Sequence, residues 1–356
     1  MTAGIPVTGA RGRQTSAARA GKNSSVPFRL HGHLHIFHVC RHHHFPVFMT
    51  GSAHTFRALL YVLLVTALIT SALCVSGCLG TPGTAAAGSA NATAPAWQVD
   101  HAVIVVNNLT EAKTRFAAAG FSVVTGGEHG GNATGNALVP FADGSYLELF
   151  APVDPAMAAQ MKALVASGNF DAAMQRENAM DSRFMRHLAD GPGPEDFAIS
   201  YPGLNLSAAQ DSAGQQGITL AGPIAMSRTR PDGVVAQWQV DVPVSGDTAA
   251  VPFLIEDNTP RSYRVPSGAD AVQPNNVTGI RSVIIGTADP ANVTRWYDTV
   301  LAGVQKSTNA SATTYALNGS TIVVRGIPGT TQDGITEIVL AQGTGGELVL
   351  DNSTWE

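Results

Sequence analysis

The chain has 356 residues, enough for one large domain or two smaller ones. Apolar residues make up 44% of it, ordinary for a protein with a sizeable core, while charged residues reach only 13% and the formal net charge is -5, which excludes the dense cationic surface of a nucleic-acid partner. All three cysteines, Cys40, Cys74 and Cys78, precede residue 80, so the remainder has no disulfide, no cysteine-ligated zinc and no cysteine nucleophile.

Residues 1–48 read as a disordered stretch or a mis-assigned start. They include HGHLHIFHVCRHHHF, whose seven histidines suit metal binding on composition. The plainer reading is that translation begins at Met49. Residues 49–78 form a leader: Arg57 precedes the uncharged run ALLYVLLVTALITSALC at 58–74, and the segment closes in VSGC. Those four residues resemble a lipobox, in which Cys78 becomes the lipidated N-terminus. The run is shorter than the roughly 20 residues of a confident spanning helix. The alternative is an uncleaved N-terminal anchor, and both readings make the membrane a partner and place the rest of the chain outside the cytoplasm. Residues 79–97 are small, polar and rich in Gly, Pro and Thr, a flexible tether. Nine N-x-[ST] sequons lie beyond Cys78, at Asn91, Asn108, Asn132, Asn205, Asn276, Asn292, Asn309, Asn318 and Asn352. Chance would give roughly three. They read as the marks of an N-glycosylated surface protein, or else as a Thr-rich composition.

From Val99 the chain reads as a unit of strand, helix and three strands, repeated three times. The first unit runs VDHAVIVV, a helix over NNLTEAKTRFAAAGF stopped by Gly120, then FSVVT, GNALVPF, a turn at Asp143-Gly144, and SYLELFA. An insertion at 154–190, rich in Ala and Met, predicts two helices. Its methionines pack a core or line a ligand pocket. The second unit opens with EDFAISYPG, has a helix at 205–216, and continues through ITLAGPIAM, VVAQWQVDV and VPFLIED. The third opens with GIRSVIIG and a helix capped by Asp289 with Pro290 in its first turn, then strands around TTYALN, STIVVRG and ITEIVLA.

A repeated βαβββ unit with a His on its first strand and a Glu on its fourth resembles the vicinal oxygen chelate superfamily, and its glyoxalase-like domain branch in particular. VDHAVIVVNNL, GGEHGGNATGNALVPF, GSYLELFAP, and MSRTRPDGVVAQW followed by VPFLIED carry the resemblance over about 99–257. One departure is Ala133, where the family often has Gly. The resemblance implies an α+β fold in which two units, at 98–275, build a curved mixed sheet with helices outside, plus the helical insertion. Residues 276–356 would hold the third, looser unit and a tail.

The resemblance also implies a site cupped by the sheet, with a divalent metal held by first- and fourth-strand side chains. Period-two alternation puts His101, Val103 and Val105 on one face, and Tyr146, Glu148 and Phe150 on one face. An imidazole and a carboxylate facing one concavity suit a divalent ion, which would polarise a substrate carbonyl or activate water. His101 and Glu148 are therefore the candidate catalytic residues. Internal alignment of the units adds Asp196 and Glu256 as metal ligands beside them, Glu256 subject to a one-residue register slip. His129, Asn136, Tyr146 and Arg228 are candidate ligand contacts, His129 from a Gly-rich loop and Arg228 as a grip on an anionic group. The bland alternatives are a strand-edge His101, loop-pinning roles for His129 and Asn136, and arginines paired with Asp232 in a turn. Arg281 stands at the His101 position of the third unit, which reads as structural. Three functions fit: a metal-dependent lyase, isomerase or dioxygenase-like enzyme on a small oxygen-rich substrate, a metal-free binding module for a small molecule, or a structural surface glycoprotein. The sequence carries no signal of oligomeric state.

Overall fold

The computed structural model describes residues 95–129, 133–244, 248–330 and 333–351. The expected leader, the lipidation at Cys78, the His-rich stretch and the tether up to residue 94 lie outside the described residues; Trp97, expected at the end of the tether, is instead buried in the core against Tyr201. Among those described, no helix is long and apolar enough to cross a membrane.

The first unit contains β1 (Gln98–Val105), α1 (Leu109–Ala118), β2 (Val124–Glu128), β3 (Thr134–Pro140) and β4 (Tyr146–Pro152). Asn108 caps α1, its side chain accepting from the amides of Thr110 and Glu111. Asn205 caps a later helix the same way, so two sequon asparagines also have a local structural reason to be Asn. The insertion forms three helices rather than two: α2 (Ala156–Ala166), α3 (Phe170–Met174) and α4 (Ala179–Asp190). The break falls where the Asn178 side chain turns to cap α4. The second unit contains β5 (Gly193–Ser200), α5 (Leu206–Gly214), β6 (Leu220–Thr229), β7 (Val235–Pro243) and β8 (Phe253–Asp257), followed by the single turn α6 (Arg261–Arg264).

These strands make one eight-stranded mixed sheet of order β2-β3-β4-β1-β5-β8-β7-β6. β1 is parallel to β4, β5 is parallel to β8, and β1 meets β5 antiparallel, so the two units join at their first strands. A bridge between His129 and Arg228 brings β2 and β6 together and curls the sheet towards closure. Gly127 makes that approach feasible. Its φ is +141°, and a Cβ there would lie 2.5 Å from the carbonyl oxygen of Thr229.

The alternation of β1 separates two apolar layers. Ala102 and Ile104 face outward to α1 and the third unit, in a core with Phe116, Phe197, Leu254 and Trp296. Val103 and Val105 face inward, where Met161, Met174, Met180, Phe184 and Met185 of the insertion pack with Phe150, Trp238, Phe253 and Ile255. The insertion therefore covers the concave face, and most of its methionines are core.

The third unit forms a six-stranded sheet from β9 (Val277–Thr287), α7 (Pro290–Val300), β10 (Lys306–Thr308), β11 (Ala312–Ala316), β12 (Thr321–Gly326), β13 (Gly334–Gln342) and β14 (Glu347–Asp351), in the order β10-β11-β12-β9-β13-β14. β9 pairs parallel with β12, as β1 does with β4. The βαβββ unit thus ends at β12, through the short, exposed β10 that sequence periodicity misses. ITEIVLA is instead β13, antiparallel to β9 as β5 is to β1. The Tyr297 hydroxyl on α7 donates to the Ala250 carbonyl at 2.9 Å and joins the third unit to the second.

Candidate functional site

A small internal cavity opens on the inner face of the curled sheet. The first unit gives it His101, His129, Asn136, Tyr146 and Glu148. The second gives Arg228, Trp238, Phe253 and Ile255, and Met180, Phe184, Met226 and Arg264 complete the wall. The space open to the centre of a water-sized sphere is about 20 Å³, room for one or two waters.

Glu148 is the centre of the polar wall and is almost wholly buried. The amide of Asn136 donates to its Oε1 at 2.6 Å. His101 Nε2 lies 3.4 Å from Oε2, and His129 Nε2 lies 3.5 Å from Oε1. Burial on its own would raise this carboxyl. The hydrogen bond from His129, the charges of both imidazoles and the bond from Asn136 outweigh burial and hold it down at about 2. Glu148 is thus an anion throughout the neutral range. His129 is fixed in turn by Thr134, whose hydroxyl lies 3.0 Å from Nδ1.

His101 has a partner that sequence reasoning missed. Asp100 Oδ1 lies 2.7 Å from its Nδ1. Neighbouring strand residues ordinarily point to opposite faces, but the β1–β5 register shifts between Val99 and His101, and this bulge turns Asp100 back. Asp100 is fully buried and takes Arg264 at 2.9 and 3.1 Å and Arg261 at 2.5 Å. Burial raises its carboxyl, and the two guanidinium groups and His101 reverse that, leaving it well below the usual carboxylate range. Arg264 also binds Asp257 and donates to the Tyr146 hydroxyl at 2.9 Å, while the Tyr146 ring stacks on His101 at 4.5 Å. Burial pushes the Tyr146 phenol upward. With Nδ1 facing Asp100, Nε2 of His101 is the atom presented to the cavity.

Arg228 donates to Asn136 at 3.3 Å and to the Arg264 carbonyl at 2.6 Å, and its Nε has no hydrogen-bond partner among the described residues. It lines both the cavity and an outer cleft of about 460 Å³ that also holds Arg230, Tyr263 and Arg264. Arg230, by contrast, pairs with Asp232 in the turn.

Two expected ligands lie elsewhere. Asp196 faces inward but stands opposite Val103; Ala198 is the residue opposite His101. Its carboxylate is taken by Arg183 at 2.6 and 2.7 Å and by His187 at 3.0 Å. Glu256 follows Leu254 onto the outer face of β8, and it is Phe253 and Ile255 that reach the cavity. Arg281 pairs with Glu347 on the exposed surface of the second sheet.

The family profile described as the glyoxalase-like domain matches residues 99–301, more than half of the chain. The chain belongs to the glyoxalase-like domain family. Its fold is that of the vicinal oxygen chelate proteins, which bind small molecules. The match passes through both units into β9 and α7. No curated protein matches the chain in sequence. Among solved structures, a hypothetical protein from Staphylococcus aureus superposes with a TM-score of 0.53 at 14% identity, over 71% of this chain and 98% of its own. That likeness concerns the fold alone. A fusion of a xylose isomerase-like TIM barrel with a 4-hydroxyphenylpyruvate dioxygenase shares 10% identity at a TM-score of 0.42, over 70% of this chain and 37% of that one.

The glyoxalase-like cavity does not offer a complete ligand set for a resident metal. His101 and Glu148 stand at a ligand-like separation, but a catalytic zinc takes three protein ligands. The second unit presents Ala198, Phe253 and Ile255 where donors would be needed, and His129 is engaged by Asn136. Arg228 and Arg264 already supply positive charge. Among the described residues, three ligand atoms within 4.8 Å of one another occur at a different place, His187, Asp190 and Glu195.

Proposed function

We propose that this glyoxalase-like domain binds a small oxygen-bearing acid between its two units without a resident metal. Glu148, His101 and Arg228 would make its polar end and Phe184, Trp238 and Phe253 its apolar wall. The observation that carries this reading is the one-sided cavity: an ionised, almost fully buried carboxylate, hydrogen-bonded by Asn136 and flanked by two imidazoles within 3.5 Å, faces aromatic and methionine side chains. A buried charge of this kind is costly and needs a reason to persist. The void is small, so a ligand enters from the outer cleft as Arg228 and the flexible Met180 and Met226 give way. Arg228, with an unbonded Nε between cleft and cavity, is placed to meet an anionic group.

A second reading, proton transfer on the bound molecule, is favoured by Asp100 behind His101. The Asp100 carboxylate fixes the ring so that Nε2 faces the ligand space, and that nitrogen would hold or release the proton. The chain is further proposed to be exported and held at the membrane through the segment before Cys78, with glycans at exposed sequons. The apolar run at 58–74, VSGC and the sequon excess support this. Cell fractionation with a glycosidase mobility shift checks it.

The binding reading is tested by thermal shift with a panel of small 2-oxo and 2-hydroxy acids. A ligand at a hundred times its Kd stabilises by about 2.7 kcal/mol. A hit must raise the Tm of the wild type, and Glu148→Gln must remove the rise. A shift that survives the substitution sinks the assignment.

A further inference from the structure

The insertion helix α4 ends beside a second group of titratable side chains that the cavity does not use. His187 and Asp190 are three residues apart on its last turn and so share a face. The chain turns at Gly191 and returns as β5, where the β1–β5 register shifts again: Val103 pairs with Asp196 and Ile104 with Pro194, which leaves Glu195 as the extra residue. A bulge of this kind re-aims a side chain. Both Glu195 and Asp196 reach His187, one on each side of its ring.

We propose that His187 Nδ1 and the carboxylates of Asp190 and Glu195 form a binding site for one first-row divalent cation of the zinc class. The three ligand atoms already lie within 4.8 Å of one another. A tetrahedral ion at about 2.0–2.2 Å spaces its ligands about 3.3–3.6 Å apart, so small side-chain rotations close the site. The second observation is the state of His187, whose side chain is 6% exposed. Its Nε2 lies 3.0 Å from Asp196 Oδ2, and Asp196 is itself locked by Arg183. A histidine that gives its far N–H to a carboxylate is the usual arrangement behind a metal ligand. The near nitrogen, Nδ1, forms no hydrogen bond with any described residue and is aimed at Glu195 Oε2, 3.8 Å away. Mixed nitrogen and oxygen donors favour zinc, cobalt or nickel over magnesium or calcium.

Electrostatics agree. Three carboxylates meet at a helix C-terminus, whose carbonyls are themselves negative. Arg183 is committed to Asp196, and the half-exposed Arg186 lies over the Phe170 ring and pairs with Asp190 at 3.3 Å. Asp190 is exposed, so the site opens to solvent and keeps water on the ion. A bound cation would tie the end of α4 to β5 and steady the helix that carries Met180 and Phe184 into the cavity wall.

The test uses the full chain, stripped by chelator and titrated with zinc chloride, against Asp190→Asn/Glu195→Gln and against Glu148→Gln. The seven histidines at 31–44 can take up zinc too, so the reading is a difference. Wild type and Glu148→Gln should bind one equivalent more than the double variant, and zinc should raise their Tm by several degrees and leave that of the double variant in place. Cobalt in place of zinc should give more visible absorption of a low-coordinate site in the first two proteins than in the double variant. Equal stoichiometry and equal Tm response in wild type and double variant overturn the proposal. So does loss of the extra equivalent in Glu148→Gln, which would put the ion in the cavity. Since Asp190 is exposed and both replacements keep side-chain volume, the double variant should fold. If its zinc-free melt falls below that of the stripped wild type, the single Asp190→Asn serves, and its zinc affinity must fall at least tenfold.

Discussion

Replacing Glu148 by Gln is the sharpest probe of the cavity. The change keeps the side chain's size and an oxygen for Asn136 to donate to, and removes the anion between His101 and His129. The Glu148 carboxyl moves from an ordinary 4.5 to about 2 on folding. At about 1.4 kcal/mol per pH unit this linkage stabilises the wild type by about 3 kcal/mol. The sign comes from the depressed value. The contribution is fully present above pH 4.5 and drains away as pH falls towards 2, because the unfolded chain takes up the proton first. Urea denaturation of wild type and Glu148→Gln at pH 7, 5, 4 and 3 checks it. The wild type should be the more stable protein at pH 7, and the gap should narrow below pH 4.5 and close near pH 2. A gap that is constant with pH, or below about 0.5 kcal/mol at pH 7, would refute the account of Glu148 as an anion held by its imidazole neighbours.

Two further substitutions probe the frame around the cavity. Arg183→Met should cost about 3–5 kcal/mol at pH 7, because it leaves the fully buried Asp196 carboxylate without its two-pronged partner; thermal denaturation reads the loss, and a change under about 1 kcal/mol would mean that His187 and the Phe197 amide satisfy Asp196 without it. Gly127→Ala should destabilise by about 1–3 kcal/mol, since its φ of +141° disfavours a side chain and the new Cβ would press on the Thr229 carbonyl; hydrogen exchange should quicken first at the β2–β6 seam, and unchanged exchange there would show that the two strands do not meet in solution.

What the sequence made legible is what local pattern encodes. Alternation along VDHAVIVV and SYLELFA puts His101 and Glu148 on inner faces, and the Asp289 cap and the Gly120 stop mark two of the repeat helices. The unreadable parts come from breaks in pattern and from distance. A bulge at Asp100 overturns the two-residue period, which is why Asp100 joins the His101 network; Asp196 stands in regular pairing opposite Val103, two residues from Ala198, the partner of His101. Arg264 meets Asp100 across 164 positions of sequence, and no motif links them. Glu256 fails for the reverse reason: strict alternation holds along β8 and sends it outward with Leu254.

The two units have diverged in a way that bears on function. The first supplies the cavity with its histidines, carboxylate and amide, whereas the facing strands of the second supply Trp238, Phe253 and Ile255, with Arg228 at the seam. A symmetric pair of units could surround an ion with donors from both sides. Here the second unit instead lowers the dielectric around Glu148, which strengthens each hydrogen bond to it and makes any unpaired polar group beside it expensive. The insertion adds to this by laying Met180 and Phe184 across the concave face. A guest that satisfies the polar wall must therefore carry a donor or cationic edge for Glu148 and an anionic edge for Arg228, while turning an apolar face to Trp238. Discrimination would rest on the polar wall, since leaving a buried carboxylate unpaired costs far more than misfitting a methyl group against methionine.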